Sequence, residues 1–249
     1  MDLPEIQERL RPLFSGLFPA AVLVDVMQTA SADPADMFPA ERAIITGAVS
    51  KRQREFCAAR QLAHGLLSHL DVDPSFPLLN GPDRVPVWPP GIVGTIAHGG
   101  GIAVVAVARA EHFRGLGIDV EPGEALPDGL EKHVCSPAES RWAKTFPIHE
   151  QGRALKLIFC IKEALYKAQY LVTRQFLDFD AFTVDPDTSS QTFEAVLRKP
   201  LPGFRAGHRF PGAFYLDDHW ALSGVTIETI SLSDYGHACY EKSSNYVSP

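Results

Sequence analysis

Two short acidic motifs carry the side chains of this sequence that are best suited to chemistry on an anionic substrate. Residues 117–121 (GIDVE) contain Asp119 and Glu121, and a second motif (FCIKEALYKA) contains Glu163 and Lys167. Because residues i and i+2 of an extended segment point to the same side, Asp119 and Glu121 would present two carboxylates together at a strand end. Glu163 and Lys167 are i,i+4 neighbours on a predicted helix, so an acid and a base share one face. This set of side chains suits a hard cation that faces an anionic substrate.

Each motif, taken alone, also has a plainer interpretation. Asp119 and Glu121 fit a solvated strand end in front of Pro122. Glu163 and Lys167 fit a helix-surface ion pair that contributes only about 0.3–0.5 kcal/mol. The chemical interpretation is favoured by the conjunction of the two motifs with the specific residues around them.

The chain resembles the 4′-phosphopantetheinyl transferases, in particular the larger single-chain, Sfp-like and EntD-like kind. The resemblance is carried by residues 117–121, by residues 159–168, and by residues 84–86 (RVP) leading to His98. These motifs stand in the family's order and at family-like separations, and they cover the chain between residues 50 and 170.

The resemblance implies an α+β fold of two similar halves with the active site between them. Residues 1–114 would form the N-terminal half, which binds the nucleotide and the 3′-phosphate of coenzyme A. Residues 115–249 would form the C-terminal half, which carries the metal site and the catalytic helix.

The reaction implied is transfer of phosphopantetheine from coenzyme A to a serine of an apo acyl or peptidyl carrier protein, with release of adenosine 3′,5′-bisphosphate. Mg²⁺, or Mn²⁺ in its place, prefers carboxylates, phosphate oxygens and water, which matches Asp119, Glu121 and Glu163. Glu163 is either a metal ligand or the acceptor of the serine proton, and the sequence leaves both roles open. Lys167 would offer a positive charge to the phosphate under attack, and Lys162 would reach the same anion from the adjoining side.

Coenzyme A also carries a 3′-phosphate, which needs its own cationic pocket. Arg52 and Arg60 lie two turns apart on a predicted helix and match family residues that bind this phosphate. A solvated basic helix face is the plainer alternative. Arg84 matches a basic position of the family near the nucleotide.

Three positions between these motifs bear on the same pocket. Asn80 stands where some family members have a lysine, which would remove one phosphate contact. Ala97 stands where the family usually has a hydroxyl residue, so only a backbone contact is inherited there. His98 is a candidate donor to the 3′-phosphate, although a lone histidine after a strand is more often a simple loop residue. Phe176 either lines the pantetheine channel or packs in the core.

A carrier protein must dock beside this site. Carrier domains are generally acidic, so the resemblance implies a local basic and apolar surface. The candidate basic residues are Lys144, Arg153, Lys156 and Arg174. The sequence does not identify the carrier or its pathway, whether siderophore or other secondary-metabolite biosynthesis, nor a preference between coenzyme A and its acylated forms.

Composition predicts a soluble cytoplasmic enzyme, with neither nucleic acid nor membrane as a partner. A monomer is expected, and the sequence leaves the oligomeric state open. The net charge of -7 over 249 residues disfavours general nucleic-acid binding. The N-terminus lacks the basic start and apolar run of a secretory signal, and the apolar stretch at residues 101–108 is too short to span a bilayer. Four scattered cysteines indicate reduced thiols rather than a zinc site or a disulfide scaffold.

The elements that position these residues alternate without a regular βαβ rhythm, which indicates α+β. Strands are predicted at residues 20–26, 93–96, 103–108, 115–120, 179–184, 192–196, 210–216 and 220–230. Helices are predicted at residues 39–49, 51–70 and 150–171. Another helix should begin after Ser136, whose spacing to Glu139 is that of a capping box. The polar tail beyond Tyr240 is predicted to be loose.

Three functions from different classes fit these observations. The first is the transferase, which requires metal-dependent labelling of a carrier serine. The second is a catalytically silent module that holds coenzyme A and a carrier protein, and retention of the acids and of Lys167 argues against it. The third is a magnesium-dependent phosphohydrolase with water as the nucleophile, which would turn over without a carrier serine.

Overall fold

The computed structural model describes residues 3–229, which form two antiparallel sheets with helices packed against them. The helices are α1 (Leu3–Ser15), α2 (Pro39–Ile45), α3 (Ser50–Ser68), α4 (Glu131–Val134), α5 (Pro137–Ala143) and α6 (Gln151–Thr173). The strands are β1 (Leu23–Gln28), β2 (Ile92–Gly99), β3 (Ile102–Arg109), β4 (Phe113–Pro122), β5 (Phe182–Asp187), β6 (Thr192–Leu197), β7 (Arg209–Leu216) and β8 (Trp220–Glu228). This mixed architecture confirms the predicted α+β class.

The first sheet has the strand order β1-β3-β2 and is covered on both faces. Alternate residues of its central strand face different apolar clusters. Val104 and Ala106 pack with α1 and β4, whereas Ala103 and Val105 pack with α3. The hairpin between β2 and β3 turns at Gly100 and Gly101, which both have positive φ, as a two-residue hairpin turn requires.

The second sheet has the strand order β4-β8-β7-β6-β5, and α6 lies across β4 and β8. Two glycines of β4 allow α6 to approach closely. A Cβ on Gly117 would overlap the carbonyl oxygen of Ala164, and one on Gly115 would lie 2.5 Å from that of Ala168. The helix that carries Glu163 is therefore pressed directly onto the strand that carries the acidic motif.

Strands β2 and β4 bring the two sheets together in one core. Val93 and Ala97 of β2 share an apolar cluster with Leu116 and Ile118 of β4. A Cβ on Gly99 would overlap the backbone oxygen of Val120, so the end of β2 lies against the end of β4. This contact places the residues around His98 next to those around Asp119. The predicted boundary between residues 114 and 115 falls inside β4 and stays a prediction.

Most predicted elements are present with shifted ends. The capping box is confirmed, because Ser136 Oγ accepts from Glu139 N and the Glu139 carboxylate accepts from Ser136 N. The strand predicted at residues 179–184 begins instead as a 3-10 turn, Phe179–Ala181, before β5. Helices α1 and α4 were not predicted. The predicted end of the last strand at Ile230 and the tail beyond Tyr240 lie outside the described residues.

Among the helices of residues 3–229, none combines the length and the apolarity that crossing a bilayer requires.

Candidate active site

The acidic motif lies at the end of β4, where α6 crosses the strand. Asp119 is only 6 % exposed. Its Oδ1 accepts a hydrogen bond of 2.7 Å from Lys167 Nζ, which also donates to the Ile118 carbonyl oxygen over 3.0 Å. Asp119 Oδ2 is buried, and no hydrogen-bond partner reaches it from the described residues. One oxygen of this carboxylate is therefore left for a ligand.

Glu121 and Glu163 complete a cluster of three carboxylates with Asp119. Burial raises the pKa of Glu163, and the negative charges of Asp119 and Glu121 raise it further against the opposing charge of Lys167. Burial and Asp119 likewise raise the pKa of Glu121, whereas Lys156, 3.3 Å from Glu121 Oε2, lowers it. The three acids are close enough to repel one another, and a cation would relieve that repulsion.

The donor set fits a hard cation. Within residues 3–229, no three His, Cys, Asp or Glu side chains have the spacing of a preformed metal site. The cluster nevertheless offers carboxylate oxygens, the ligands that Mg²⁺ prefers, and it includes the orphaned Asp119 Oδ2. Mg²⁺ commonly takes few protein carboxylates and completes its shell with water and substrate phosphate, so a fully closed protein site is not required.

A basic cavity of about 340 Å³ adjoins this cluster. It lies between α3, the segment at residues 80–86, the end of β2, and α6. The structure brings the following sequence-predicted residues to its wall: Arg52, Arg60, Asn80, Arg84, Ala97, His98 and Lys167. Lys167 belongs both to this wall and to the acidic cluster, so the two sites are continuous.

Arg60 is held rigidly at the base of the cavity. It is 3 % exposed, its Nε donates to the Leu78 carbonyl oxygen over 2.8 Å, and its Nη2 donates to Asn80 Oδ1 over 2.6 Å. Its guanidinium lies 3.8 Å above the Phe56 ring. Burial lowers the pKa of Arg60 to about 10, with Glu41 opposing the shift, so this arginine stays charged at neutral pH. Asn80 therefore orients Arg60.

Arg52 and His98 contact each other in the wall of the same cavity. Arg52 Nη1 lies 2.6 Å from His98 Nε2. Both side chains also approach Glu55, which sequence reasoning missed although it lies one turn after Arg52 on the same helix. The i,i+3 spacing of an acid after a predicted phosphate-binding arginine was the available signal.

The segment that carries Arg84 is fastened to α6. Arg84 adopts a left-handed conformation with φ of 65°. The carboxylate of the preceding residue, Asp83, accepts from Tyr170 Oη over 3.2 Å and from Arg174 Nη1 over 3.3 Å. Arg174, a predicted carrier-docking residue, is thus paired with Asp83. Strain at Arg84 and the link through Asp83 together fix this wall of the cavity.

The structure commits the amine of Lys162 to a buried ion pair. Its side chain is 2 % exposed, and its Nζ donates to the Val134 carbonyl oxygen over 2.7 Å and to Glu139 Oε2 over 2.8 Å. Lys162 lines a pocket together with Glu163, but its amine is bonded to Val134 and Glu139. The amine of Lys162 is committed to a buried ion pair behind the site, and the prediction that it reaches the phosphate does not fit this position.

An apolar groove of about 260 Å³ begins at Glu163. Tyr166, Phe176, Leu177 and Phe179 line it. The Phe176 ring is centred 5.6 Å from that of Tyr166, and Phe176 is 76 % exposed. Core packing, one of the two interpretations of Phe176, therefore does not describe its position.

The chain was compared with known protein families and with individual proteins, and both comparisons point to one family. Residues 40–108 match the 4′-phosphopantetheinyl transferase N-terminal domain, and residues 115–214 match the 4′-phosphopantetheinyl transferase superfamily. The chain is 35 % identical over 231 residues to 4′-phosphopantetheinyl transferase Svp of Streptomyces mobaraensis, with 89 % of each chain covered. It is 36 % identical over 199 residues to 4′-phosphopantetheinyl transferase Npt of Nocardia iowensis, covering 75 % of this chain and 87 % of the relative. It is 33 % identical over 199 residues to 4′-phosphopantetheinyl transferase PptT of Mycobacterium tuberculosis, covering 77 % of this chain and 86 % of the relative.

The two matched segments contain both the basic cavity and the acidic cluster, and the full-length relatives are enzymes by name. This chain therefore belongs to the 4′-phosphopantetheinyl transferase superfamily and is an enzyme of that class.

Proposed function

We propose that this enzyme transfers 4′-phosphopantetheine from coenzyme A to a serine of an apo acyl or peptidyl carrier protein, with Mg²⁺ and with release of adenosine 3′,5′-bisphosphate. The observation that carries the proposal is the position of Lys167. Its amine binds Asp119 in the acidic cluster, and its side chain also lines the basic cavity. A substrate with a terminal phosphate and a pyrophosphate can occupy both sites at once.

The basic cavity would hold the nucleotide end of coenzyme A. Arg52 and Arg60 supply two fixed positive charges for the 3′-phosphate, and a guanidinium matches phosphate geometry. Arg84 lines the same cavity on the side toward α6. The buried hydrogen bonds of Arg60 restrict its motion, so little side-chain entropy is lost when the anion binds.

Asp119, Glu121 and Glu163 would hold the metal ion at the pyrophosphate. Bound there, Mg²⁺ would neutralise charge on the phosphate oxygens and stabilise the departing phosphate. Mn²⁺ has the same oxygen preference and would substitute for it. Lys167 adds a positive charge on the same side as the cavity.

In the transfer itself, a bond forms between the serine oxygen and the phosphorus attached to pantetheine, while the bond from that phosphorus to the bridging oxygen breaks. The serine proton must be accepted in the same step. Glu163 either accepts it, directly or through a water, or serves only as a metal ligand. Burial, the largest cause, raises the pKa of Glu163, which is the direction that makes a carboxylate a better proton acceptor.

The apolar groove that starts at Glu163 would take the pantetheine arm. Tyr166 and Phe176 offer aromatic faces along it. An arm laid in this groove would leave the pyrophosphate at the acidic cluster, where the carrier serine must arrive.

The proposal includes a cytoplasmic monomer. The cytoplasmic location is supported by three free thiols, those of Cys57, Cys135 and Cys160, as is usual in a reducing compartment. Burial raises the pKa of Cys57 to about 11 and that of Cys135 to about 12, so neither is a reactive thiolate at neutral pH.

Intact-mass analysis tests the proposal. An apo acyl or peptidyl carrier protein is incubated with this protein, coenzyme A and Mg²⁺, with and without a chelator. We expect the carrier to gain the mass of one phosphopantetheine, and we expect the chelator to abolish that gain. A carrier whose serine is replaced by alanine is the control and should gain no mass. Coenzyme A binding without labelling of several carriers would indicate the silent binding module, and turnover without a carrier serine would indicate a phosphohydrolase.

A further inference from the structure

Glu55 places a negative charge in a cavity that is otherwise basic. Its side chain is 14 % exposed and lines the cavity beside Arg52 and His98. Its Oε2 lies 3.5 Å from Arg52 Nη1 and 3.6 Å from His98 Nδ1. Coulomb's law alone predicts that an acid here weakens the binding of an anion. Its presence in the wall therefore calls for another explanation.

The contact between Arg52 and His98 shows which ring nitrogen of the histidine carries the proton. Arg52 Nη1 lies 2.6 Å from His98 Nε2, and a guanidinium can only donate. Nε2 therefore accepts, and the proton sits on Nδ1, the nitrogen that faces Glu55. Burial lowers the pKa of His98; Arg52 and Lys167 lower it too, whereas Glu55 and Asp119 raise it. The neutral ring is thus oriented between an arginine and an acid.

A bound phosphate changes what these side chains must do. Phosphate oxygens only accept, so His98 Nε2 can donate to the phosphate only after the N–H of Arg52 Nη1 has left it; the five N–H donors of the guanidinium let Arg52 bind the same phosphate. The ring then lies between two anions, with Glu55 beside Nδ1 and the phosphate beside Nε2. This position favours the imidazolium, which gains one proton from solvent and donates from both nitrogens.

We infer that Glu55 is a positioning residue of the 3′-phosphate subsite, whose carboxylate holds the Nδ1 edge of His98 so that Nε2 faces the phosphate. The inference rests on the proposed function, because it takes the anion in this cavity to be the 3′-phosphate of coenzyme A. Glu55 acts through His98 and does not touch the phosphate. A carboxylate that fixes the orientation of a functional histidine is a common arrangement.

The test compares the binding of coenzyme A with that of 3′-dephospho-coenzyme A, measured by calorimetry on the full-length protein. The readout is the ratio of the two dissociation constants, because general structural damage weakens both ligands alike. We expect Glu55→Gln to reduce the preference for coenzyme A by about tenfold, the scale of the charged hydrogen bond from His98 to the phosphate. The affinity for 3′-dephospho-coenzyme A should not change. Glu55→Ala, which removes the group beside Nδ1 altogether, should reduce the preference at least as much. Arg54→Ala removes a charge from the same helix outside the cavity and should leave the ratio unchanged.

A double-mutant comparison shows whether Glu55 acts through the histidine. In a His98→Ala background, Glu55→Gln should change the ratio by less than about twofold. An unchanged or increased preference for coenzyme A in the two Glu55 variants would overturn the inference, and so would a full further loss in the His98→Ala background. Equal binding of both ligands by the parent protein would overturn the 3′-phosphate subsite together with the inference, while magnesium-dependent labelling of a carrier would still support the transfer.

Discussion

Gly117 on β4 lies directly against the carbonyl oxygen of Ala164 on α6. Asp119 follows two residues along the strand, and Glu163 and Lys167 flank Ala164 on the helix. Because Gly117 has no side chain, its contact with the helix backbone sets how close Asp119 lies to Glu163 and Lys167. The site depends on this backbone packing as much as on its ionisable groups.

Gly117→Ala should separate the helix from the strand. The added methyl group meets backbone rather than a flexible side chain, so the overlap is relieved only by moving α6. We expect a loss of about 1–3 kcal/mol in the free energy of unfolding, the usual cost of overpacking. The rate of carrier labelling should fall more than the affinity for coenzyme A, because the acids move relative to Lys167. Chemical denaturation and labelling kinetics measure the two effects.

Gly65→Ala is the matched control for that substitution. Gly65 lies on α3 with open space around the position of a Cβ, so alanine there should stabilise the helix by about 0.5–1 kcal/mol and leave activity unchanged. If Gly117→Ala also left both stability and labelling unchanged, the close approach of α6 to β4 would not control the site.

Lys162→Met tests whether Lys162 serves the fold or the phosphate. The substitution leaves the buried Glu139 carboxylate without its cationic partner, which should cost about 3–5 kcal/mol in the free energy of unfolding. The protein that remains folded should keep the parent KM for coenzyme A, because the amine points away from the cavity.

Replacing both members of the buried pair, Lys162→Met with Glu139→Gln, should cost less than the sum of the two single changes. Lys132→Met, at an exposed position, is the control for loss of a lysine. A rise in the KM for coenzyme A in Lys162→Met, without a change in stability, would restore Lys162 to the phosphate site.

The elements around the site were largely readable from the sequence because local signals specify them. The apolar repeat of α3 predicted residues 51–70, and the helix is Ser50–Ser68. The capping box at Ser136 satisfies backbone groups within one turn, so it works wherever the helix is placed. Helix α1 was missed although Ile6, Leu10 and Phe14 repeat at helical spacing and pack into the core.

Contacts between distant segments were not readable in the same way. The sequence places Lys162 beside Glu163, but its partner Glu139 comes from another helix, and only packing shows that the pair is buried. Burial likewise decides that Arg60 is held by the segment that carries Asn80. The resemblance identified residue types at the site, whereas the partners that orient them depend on tertiary structure.

Asp119→Asn should remove metal binding while the protein stays folded. The change keeps the shape of the side chain; it relieves repulsion with Glu121 and Glu163 but also removes the charge that pairs with Lys167, so the readout is the stabilisation that Mg²⁺ adds and not the stability without the ion. Mg²⁺ at about 100 times its dissociation constant should stabilise the parent by about 2.7 kcal/mol, which raises its melting temperature, and should not stabilise the variant. An equal shift in both proteins would mean that the ion binds elsewhere. Carrier labelling should be lost in Asp119→Asn.

Arg52→Ala should weaken the proposed binding of the 3′-phosphate. A charged hydrogen bond contributes about 1.5–3 kcal/mol, so the KM for coenzyme A should rise roughly tenfold to a hundredfold with little change in kcat. The parent and the variant should use 3′-dephospho-coenzyme A equally well. Steady-state labelling with the two donors measures this, and an equal loss with both donors would refute the assignment of Arg52.

Glu163→Gln should distinguish the two roles left open for this residue. Glutamine keeps the size of the side chain and an oxygen that can contact a metal ion, but it cannot accept the serine proton. We expect the rate of labelling to fall by about 10²–10⁴-fold, the usual contribution of a general base, while Mg²⁺ binding followed by calorimetry changes little. Parallel loss of Mg²⁺ affinity and labelling would instead make Glu163 a metal ligand first. Its position favours the expected result, because Glu163 begins the apolar groove and so lies where the pantetheine arm and the serine would meet.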